Sequence, residues 1–129
     1  MTIIEVLFAV MILSGVMLSL SRFGQGFARA SRKAANLTVA SDLAAARLEV
    51  VKGHATYATL VSTYHGTVES SATTGANPSM DGYEGYTRST QAVRTLTDTT
   101  DFVTVTVTVV APAGMLDGPM RKSVVIGAP

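Results

Sequence analysis

The chain begins with an apolar run that contains a single charged side chain. Glu5 is the only ionisable side chain before Arg22, and most residues around it are Val, Leu, Ile, Met or Phe. Residues 1–21 in a helix would extend about 31 Å, which matches the hydrocarbon core of a bilayer. An unpaired carboxylate near the bilayer centre costs about 2.5–3.5 kcal/mol. Glu5 therefore needs a partner.

After the apolar run, the apolar positions form a stripe that a long helix would place on one face. Steps of four and three residues separate its members: Phe23, Phe27, Ala30, Ala34, Leu37, Ser41, Ala44, Leu48 and Val51. Charged residues, including Arg47, mostly fall beside the stripe. Lys52 followed by Gly53 is typical of a helix C-terminus. The pattern predicts one helix of about fifty residues, whose amphipathic second half packs on its own domain.

The second half of the chain shows the alternation of β-strands. From Phe102 to Val109, valines and threonines alternate strictly, so the four valines should cover the helix stripe and leave the threonines in water. This segment, 101–112, is predicted to pair with 86–96 across a short turn at Thr97–Thr100, and 121–127 supplies a third strand. Residues Tyr57–Tyr64 are expected to form a short strand or a turn.

A cleaved secretory signal peptide is an alternative interpretation of the apolar run. Ala28-Arg29-Ala30 fits an A-x-A cleavage pattern, and cleavage there would leave a secreted binding module that begins at Ser31. A signal peptide carries basic residues before its apolar run, whereas here Met-Thr-Ile-Ile-Glu precedes it. The acidic Glu5 and the missing basic residues favour a membrane helix.

Three glycines, Gly15, Gly24 and Gly26, lie inside the predicted helix. Each costs about 1 kcal/mol relative to alanine in a helix interior. Two interpretations stay open. The small residues allow close helix packing, or the helix unwinds locally between about residues 14 and 26.

Composition narrows the chemistry that the chain can perform. The 129 residues suffice for one domain, the net charge of +1 gives no sign of a nucleic-acid partner, and the absence of cysteine excludes disulfides and thiolate sites. Two carboxylate pairs, Asp98 with Asp101 and Asp81 with Glu84, lack a recognisable calcium loop, so turn or cap roles are favoured. Solvated positions are favoured for the two histidines, and turn or strand-edge positions for the tyrosines; these residues are His54, His65, Tyr57, Tyr64, Tyr83 and Tyr86.

The first residues, Met1-Thr2-Ile3-Ile4-Glu5 followed by the apolar run, resemble the mature N-terminus of type IV pilins and of type II secretion pseudopilins. That motif has an apolar first residue, Thr or Ser, two aliphatic residues, then glutamate. The resemblance covers about the first 25 residues closely and the long helix in outline. The chain departs from the pattern of many pilins in three places: Met at position 1 where Phe is commonest, Arg22 in place of a proline, and no cysteine for a C-terminal disulfide loop. The first and third departures weaken the likeness to a major pilin.

The resemblance implies a processed chain and a particular ion pair. A prepilin peptidase would have removed a short basic leader and methylated the amine of Met1. In the family, the glutamate pairs with the terminal amine of a neighbouring subunit, so here Glu5 would pair with Met1 and set the register between subunits. Removing one partner of such a buried pair costs about 3–5 kcal/mol.

The resemblance also implies an α+β fold of the pilin type, with the second half of a long helix packed on an antiparallel sheet of three or four strands. We expect a hydrophobic helix over 1–25, its amphipathic continuation over 26–53 and a β head over 54–129. The expected function is that of a structural subunit of a type IV pilus or similar filament, without catalysis, cofactor or metal. The alternative is a minor pilin or a pseudopilin. The subunit would cross the inner membrane once before assembly, and then stand in an extracellular filament.

Overall fold

The computed structural model describes residues 2–129, and its longest element is a helix that runs through much of the chain. Helix α1 spans Ile3–Lys52, which confirms the predicted helix and its end at Lys52. The chain divides into two compact units, residues up to Ala34 and Ala35–Pro129. Helix α1 contributes to both, and the two units are described in turn.

The first unit, called the apolar unit, consists of the part of helix α1 up to Ala34, without any covering element. Every residue from Thr2 to Ala34 is exposed, including the large apolar side chains of Ile3 (83% exposed), Met11 (74%) and Phe23 (74%). A helix that is apolar on every side is stabilised when its side chains leave water for an apolar environment, and it gains nothing while water surrounds it. This unit has the surface of a helix made for an apolar environment.

The second unit, Ala35–Pro129, is called the head, and it combines the rest of α1 with a short helix and an antiparallel sheet. Helix α2 spans Tyr57–Tyr64. Strands β1 (Thr67–Ser70), β2 (Thr87–Leu96), β3 (Asp101–Val110) and β4 (Met120–Gly127) lie side by side in the order β1-β2-β3-β4, so each strand pairs with the next along the chain. The α+β fold with a long N-terminal helix and a four-stranded antiparallel sheet confirms the predicted pilin-like fold class.

The register of the central hairpin agrees with the alternation in the sequence. Residues 87–96 of β2 face 110–101 of β3, with Leu96 opposite Asp101 at the turn. The valines at 103, 105, 107 and 109 are fully buried, whereas the threonines between them are partly exposed on the other face. The predicted third strand is present as β4, and it pairs with β3.

The core of the second unit lies between the buried face of α1 and the sheet. Ala40, Leu43, Ala44, Leu48 and Val51 of the helix belong to one apolar cluster with the four valines of β3. The predicted stripe is therefore buried at Ala44, Leu48 and Val51. Its earlier members remain exposed in the structure: Phe23, Phe27, Ala30, Ala34 and Leu37.

Two local expectations were wrong, namely the structure of Tyr57–Tyr64 and the position of Arg47 beside the stripe. One strand, β1, had not been predicted. Tyr57–Tyr64 forms helix α2, not a strand or turn, because apolar side chains three or four residues apart, at Tyr57, Leu60 and Tyr64, pack inward together. Strand β1 had no sequence signal, since its buried side chain is a carboxylate, Glu69. Arg47, predicted beside the stripe, is buried with it at 4% exposure.

Candidate assembly surface and the buried charges of the head

The apolar part of α1 is the largest uncovered hydrophobic surface among the described residues. Helix α1 is long enough and apolar enough to cross a membrane, judged by length and composition. None of its apolar stretch is buried. Two shallow apolar depressions run along it. The first is lined by Ile4, Leu7, Phe8, Val10 and Met11, and the second by Ile12, Gly15, Val16, Ser19, Leu20 and Phe23.

Glu5 lies in the first turn of α1, on this apolar surface. Its backbone N–H and that of Val6 both donate to the carbonyl of Thr2, at 3.0 and 3.3 Å. The carboxylate near the helix N-terminus is favoured by the helix dipole. Within residues 2–129 its side chain is exposed and has no basic partner. The predicted partner, the methylated amine of Met1, lies outside the described residues.

The small residues of the apolar part are accommodated within a continuous helix. Gly15, Gly24 and Gly26 are all helical, and a Cβ added at any of them would meet nothing within 4 Å. The hydroxyls of Ser14 and Ser19 donate to the carbonyls of Val10 and Gly15, at 2.7 and 2.9 Å. These two hydroxyls are thus satisfied inside the helix. Local unwinding between residues 14 and 26 stays a prediction.

A buried ionic cluster, which the sequence did not predict, lies between α1 and the sheet. The Glu69 carboxylate accepts hydrogen bonds from Nε and Nη2 of Arg88, at 2.9 and 2.6 Å, and pairs with Nη1 of Arg47 at 3.3 Å. Arg47, Glu69 and Arg88 are 4%, 7% and 0% exposed. Burial lowers the pKa of Arg47, and Glu69 opposes this effect. Three charges removed from water are tolerated here because each has a charged partner.

The same cluster fixes the loop between β1 and β2. Nη1 of Arg47 donates to the carbonyl of Asn77, and Nη2 of Arg88 donates to the carbonyl of Pro78 at 2.8 Å. The backbone N–H of Asn77 donates to Glu69 Oε1 at 3.2 Å. The remaining hydrogen-bonding capacity of the charged groups is thereby used on backbone atoms. The cluster holds helix, sheet and loop together.

A second ionic group joins α2 to the central hairpin. Arg94 donates from Nε and Nη2 to the two oxygens of Asp101, at 2.8 and 2.5 Å, and the Tyr57 hydroxyl donates to Asp101 Oδ1 at 2.9 Å. The hydrogen bonds from Arg94 are the main cause that lowers the pKa of Asp101. Loss of solvation raises the pKa of Tyr57, and Asp101 adds to that effect.

The other residues considered for chemistry lie apart. Asp81, Glu84 and Asp98 are exposed, and the described residues contain no group of three or more potential metal ligands. His54 is 3.0 Å from the Thr59 hydroxyl through Nε2, while Nδ1 of exposed His65 is 2.8 Å from the carbonyl of Ala92. The tyrosines form no common surface patch, because two of them are buried in the core: Tyr64 and Tyr86.

Comparisons with known proteins gave no relative. No protein-family model, no curated protein and no solved structure matched the chain.

Proposed function

We propose that this protein is a structural subunit of a type IV pilus or a similar filament. The observation that carries the proposal is the placement of Glu5 in the first turn of α1, whose first part is apolar and uncovered and whose last part packs on a four-stranded sheet. A carboxylate at that position is costly in lipid unless a positive group approaches it. The amine of Met1 on a neighbouring subunit is the partner that the resemblance to pilins implies.

In this proposal the apolar helix has two successive environments. Before assembly, it anchors the subunit in the inner membrane with the head outside. During assembly, contacts with lipid are exchanged for contacts with other helices, and the depressions beside Ile4–Met11 and Ile12–Phe23 receive neighbouring side chains. Pairing of Glu5 with the amine removes the cost of the buried carboxylate and selects one register. A prepilin peptidase and an inner-membrane assembly machinery are the expected partners.

A minor pilin or a pseudopilin is the second candidate, favoured by methionine at position 1 and the absence of cysteine. The number of copies in extracellular filaments distinguishes a minor pilin or a pseudopilin from the main subunit. Mass spectrometry of filaments sheared from cells should find an abundant peptide that begins at N-methylated Met1. The same peptide found only in the membrane fraction would favour the minor or secretion role. A chain that begins at Ser31 would contradict the whole proposal.

The role of Glu5 has its own test, the substitution Glu5→Ala. We expect the variant to reach the membrane with a folded head but to give few or no filaments. Glu84→Ala, which removes an exposed carboxylate from the head, is the matched control and should assemble normally. Normal filaments from Glu5→Ala would exclude the pairing.

A further inference from the structure

Helix α1 carries two exposed pairs of charges with opposite sign and equal spacing. Arg22 and Arg29 are seven residues apart, and so are Asp42 and Glu49. Seven residues correspond to about two helical turns, so the members of each pair lie on one side of the helix. All four residues are exposed. No acidic residue lies between Glu5 and Asp42, so the stretch that carries the basic pair contains no acidic side chain.

The acidic pair points away from the head to which it belongs. The buried face of α1 includes Ala40, Ala44 and Val51, and Asp42 and Glu49 lie on the opposite side by helical periodicity. The Glu49 side chain is 70% exposed and meets only Lys52, at 2.8 Å. Asp42 has no ion pair among the described residues. The head leaves this pair available.

The basic pair is similarly available on the apolar unit. Arg22 and Arg29 have no acidic partner within residues 2–129. Between them lies Gly26, where the space for a side chain is empty. A glycine between two arginines permits another helix backbone to come close.

The two pairs match each other at one displacement. Twenty residues separate Arg22 from Asp42 and also Arg29 from Glu49, and the same step leads from Gly26 to the small residue Ala46. We propose that a second copy of this chain binds here: its Asp42 and Glu49 pair with Arg22 and Arg29 of the first copy, in parallel helices displaced by twenty residues. This inference rests on the proposed filament and adds the identity of one of its contacts.

The geometry of this contact leads to an open assembly. The basic pair and the acidic pair are separate residues of one chain, twenty positions apart. A copy that uses its basic pair on one neighbour therefore keeps its acidic pair for the next neighbour. Head-to-tail contacts generate rings if they close and open helical filaments if they do not, and an axial displacement of twenty residues at each contact prevents closure. The pairing of Glu5 with Met1 needs a different neighbour, with a smaller displacement.

The energetic role of the contact is to select register. Exposed ion pairs contribute little to affinity on their own, but charges of like sign brought together exclude wrong arrangements. Apolar packing of the N-terminal helices supplies attraction without fixing the displacement. The matched charges fix it, because only a displacement of twenty residues forms both ion pairs: a shift of one turn forms neither, and a shift of two turns, which is the spacing within each pair, forms only one.

The first test is disulfide cross-linking of assembled filaments, which is clean because the chain has no cysteine. The double variant Arg22→Cys/Asp42→Cys should give, after oxidation, a ladder of covalent oligomers on a non-reducing gel. The control Arg22→Cys/Glu49→Cys, which matches an antiparallel pairing, should give no more cross-linking than the single variants. Equal cross-linking in both variants, or a ladder only in the control, would overturn the inference.

The second test exchanges the charges of the other pair. Glu49→Arg, a change in the head, should lower the yield of sheared filaments about tenfold, because it places arginine against Arg29. Adding Arg29→Glu should restore the yield to within about twofold. Arg121→Glu, which reverses an exposed charge elsewhere in the head, should have no effect. Full yield from Glu49→Arg, or no recovery in the double variant, would refute the contact.

These outcomes are distinguishable from failure of the filament proposal itself. If the unaltered chain makes no filaments, the proposed function fails. If it does and the charge exchanges have no effect, only this contact fails. Loss of Arg29→Glu from the membrane fraction, with no recovery by Glu49→Arg, would assign the arginines to anionic lipid headgroups and likewise overturn the inference.

Discussion

The glutamates Glu5 and Glu69 show how differently the two units of this molecule treat a charge. Glu69 is 7% exposed and is held by Arg47 and Arg88 of the same chain. Glu5 stands on an apolar helix without a basic partner among residues 2–129. The head is complete in itself, with no unsatisfied buried side-chain polar atom among the described residues. The apolar unit presents both its charge and its hydrophobic surface outward.

This difference teaches where to look for stability and where to look for interaction. In the head, substitutions should change the free energy of unfolding, since each buried group has partners that remain behind. In the apolar unit, the same substitutions should leave folding unchanged and alter only what the helix binds. Paired variants of the full-length chain in detergent micelles can test this division.

The largest expected effect is on the buried cluster. Glu69→Ala leaves two arginines buried without a counter-charge and should lower the free energy of unfolding by about 3–5 kcal/mol. Glu5→Ala should change it by less than about 0.5 kcal/mol. Urea unfolding followed by circular dichroism measures both values. Equal losses of unfolding free energy in the two variants would show that the two units do not differ in how a charge contributes to stability.

The next comparison uses one substitution at two places on α1. Leu48 is 6% exposed and Leu13 is 57% exposed. Leu48→Ala should cost about 2–5 kcal/mol, because it removes buried methyl groups and leaves a cavity. Leu13→Ala should cost less than about 0.5 kcal/mol in the same urea titration. A large loss for Leu13→Ala would mean that the apolar unit takes part in folding of the head.

A smaller effect separates the two faces of β3. Val105 is fully buried, whereas Thr106 points to the partly exposed face, 3.1 Å from the Ser123 hydroxyl. Val105→Ala should cost about 2 kcal/mol, and Thr106→Ala less than about 0.5 kcal/mol. Thermal unfolding should rank the two variants accordingly. The reverse order would place the core on the wrong side of the sheet.

The smallest effect concerns Asp101, whose pKa is lowered mainly by hydrogen bonds from Arg94. Because the folded pKa lies below the unfolded value of about 4, the stabilisation is present above that value and is lost as the pH falls further. Asp101→Asn should therefore lower the melting temperature slightly at neutral pH. The difference from the unaltered chain should vanish in strong acid. A difference in melting temperature that grows as the pH falls would mean that protonation of Asp101 strengthens the interaction, the opposite of what its lowered pKa implies.

Much of the fold could be predicted because the strongest patterns are local. The alternation around Val105 gave the strand, its buried face and its hairpin, and Lys52-Gly53 gave the end of α1. Arg47 and Glu69 were missed because periodicity treats every charge as exposed. Only the folded chain shows that Glu69 lies opposite Arg88 in the register of β1 and β2. The distinctive position of Glu5 was visible in the sequence, whereas its proposed partner belongs to another subunit.

The order of the strands has a kinetic consequence. Strands β2 and β3 are joined by a tight turn in which the backbone N–H of Thr97 donates to the carbonyl of Thr100 at 2.8 Å. A hairpin of this kind forms in about 1–10 μs, since it closes only a short loop. We expect strands β1 and β4 to add to its two edges afterwards, since each pairs with one strand of the hairpin. Docking of Ala40–Val51 onto the sheet joins residues far apart in sequence, so it should be the slow step of folding.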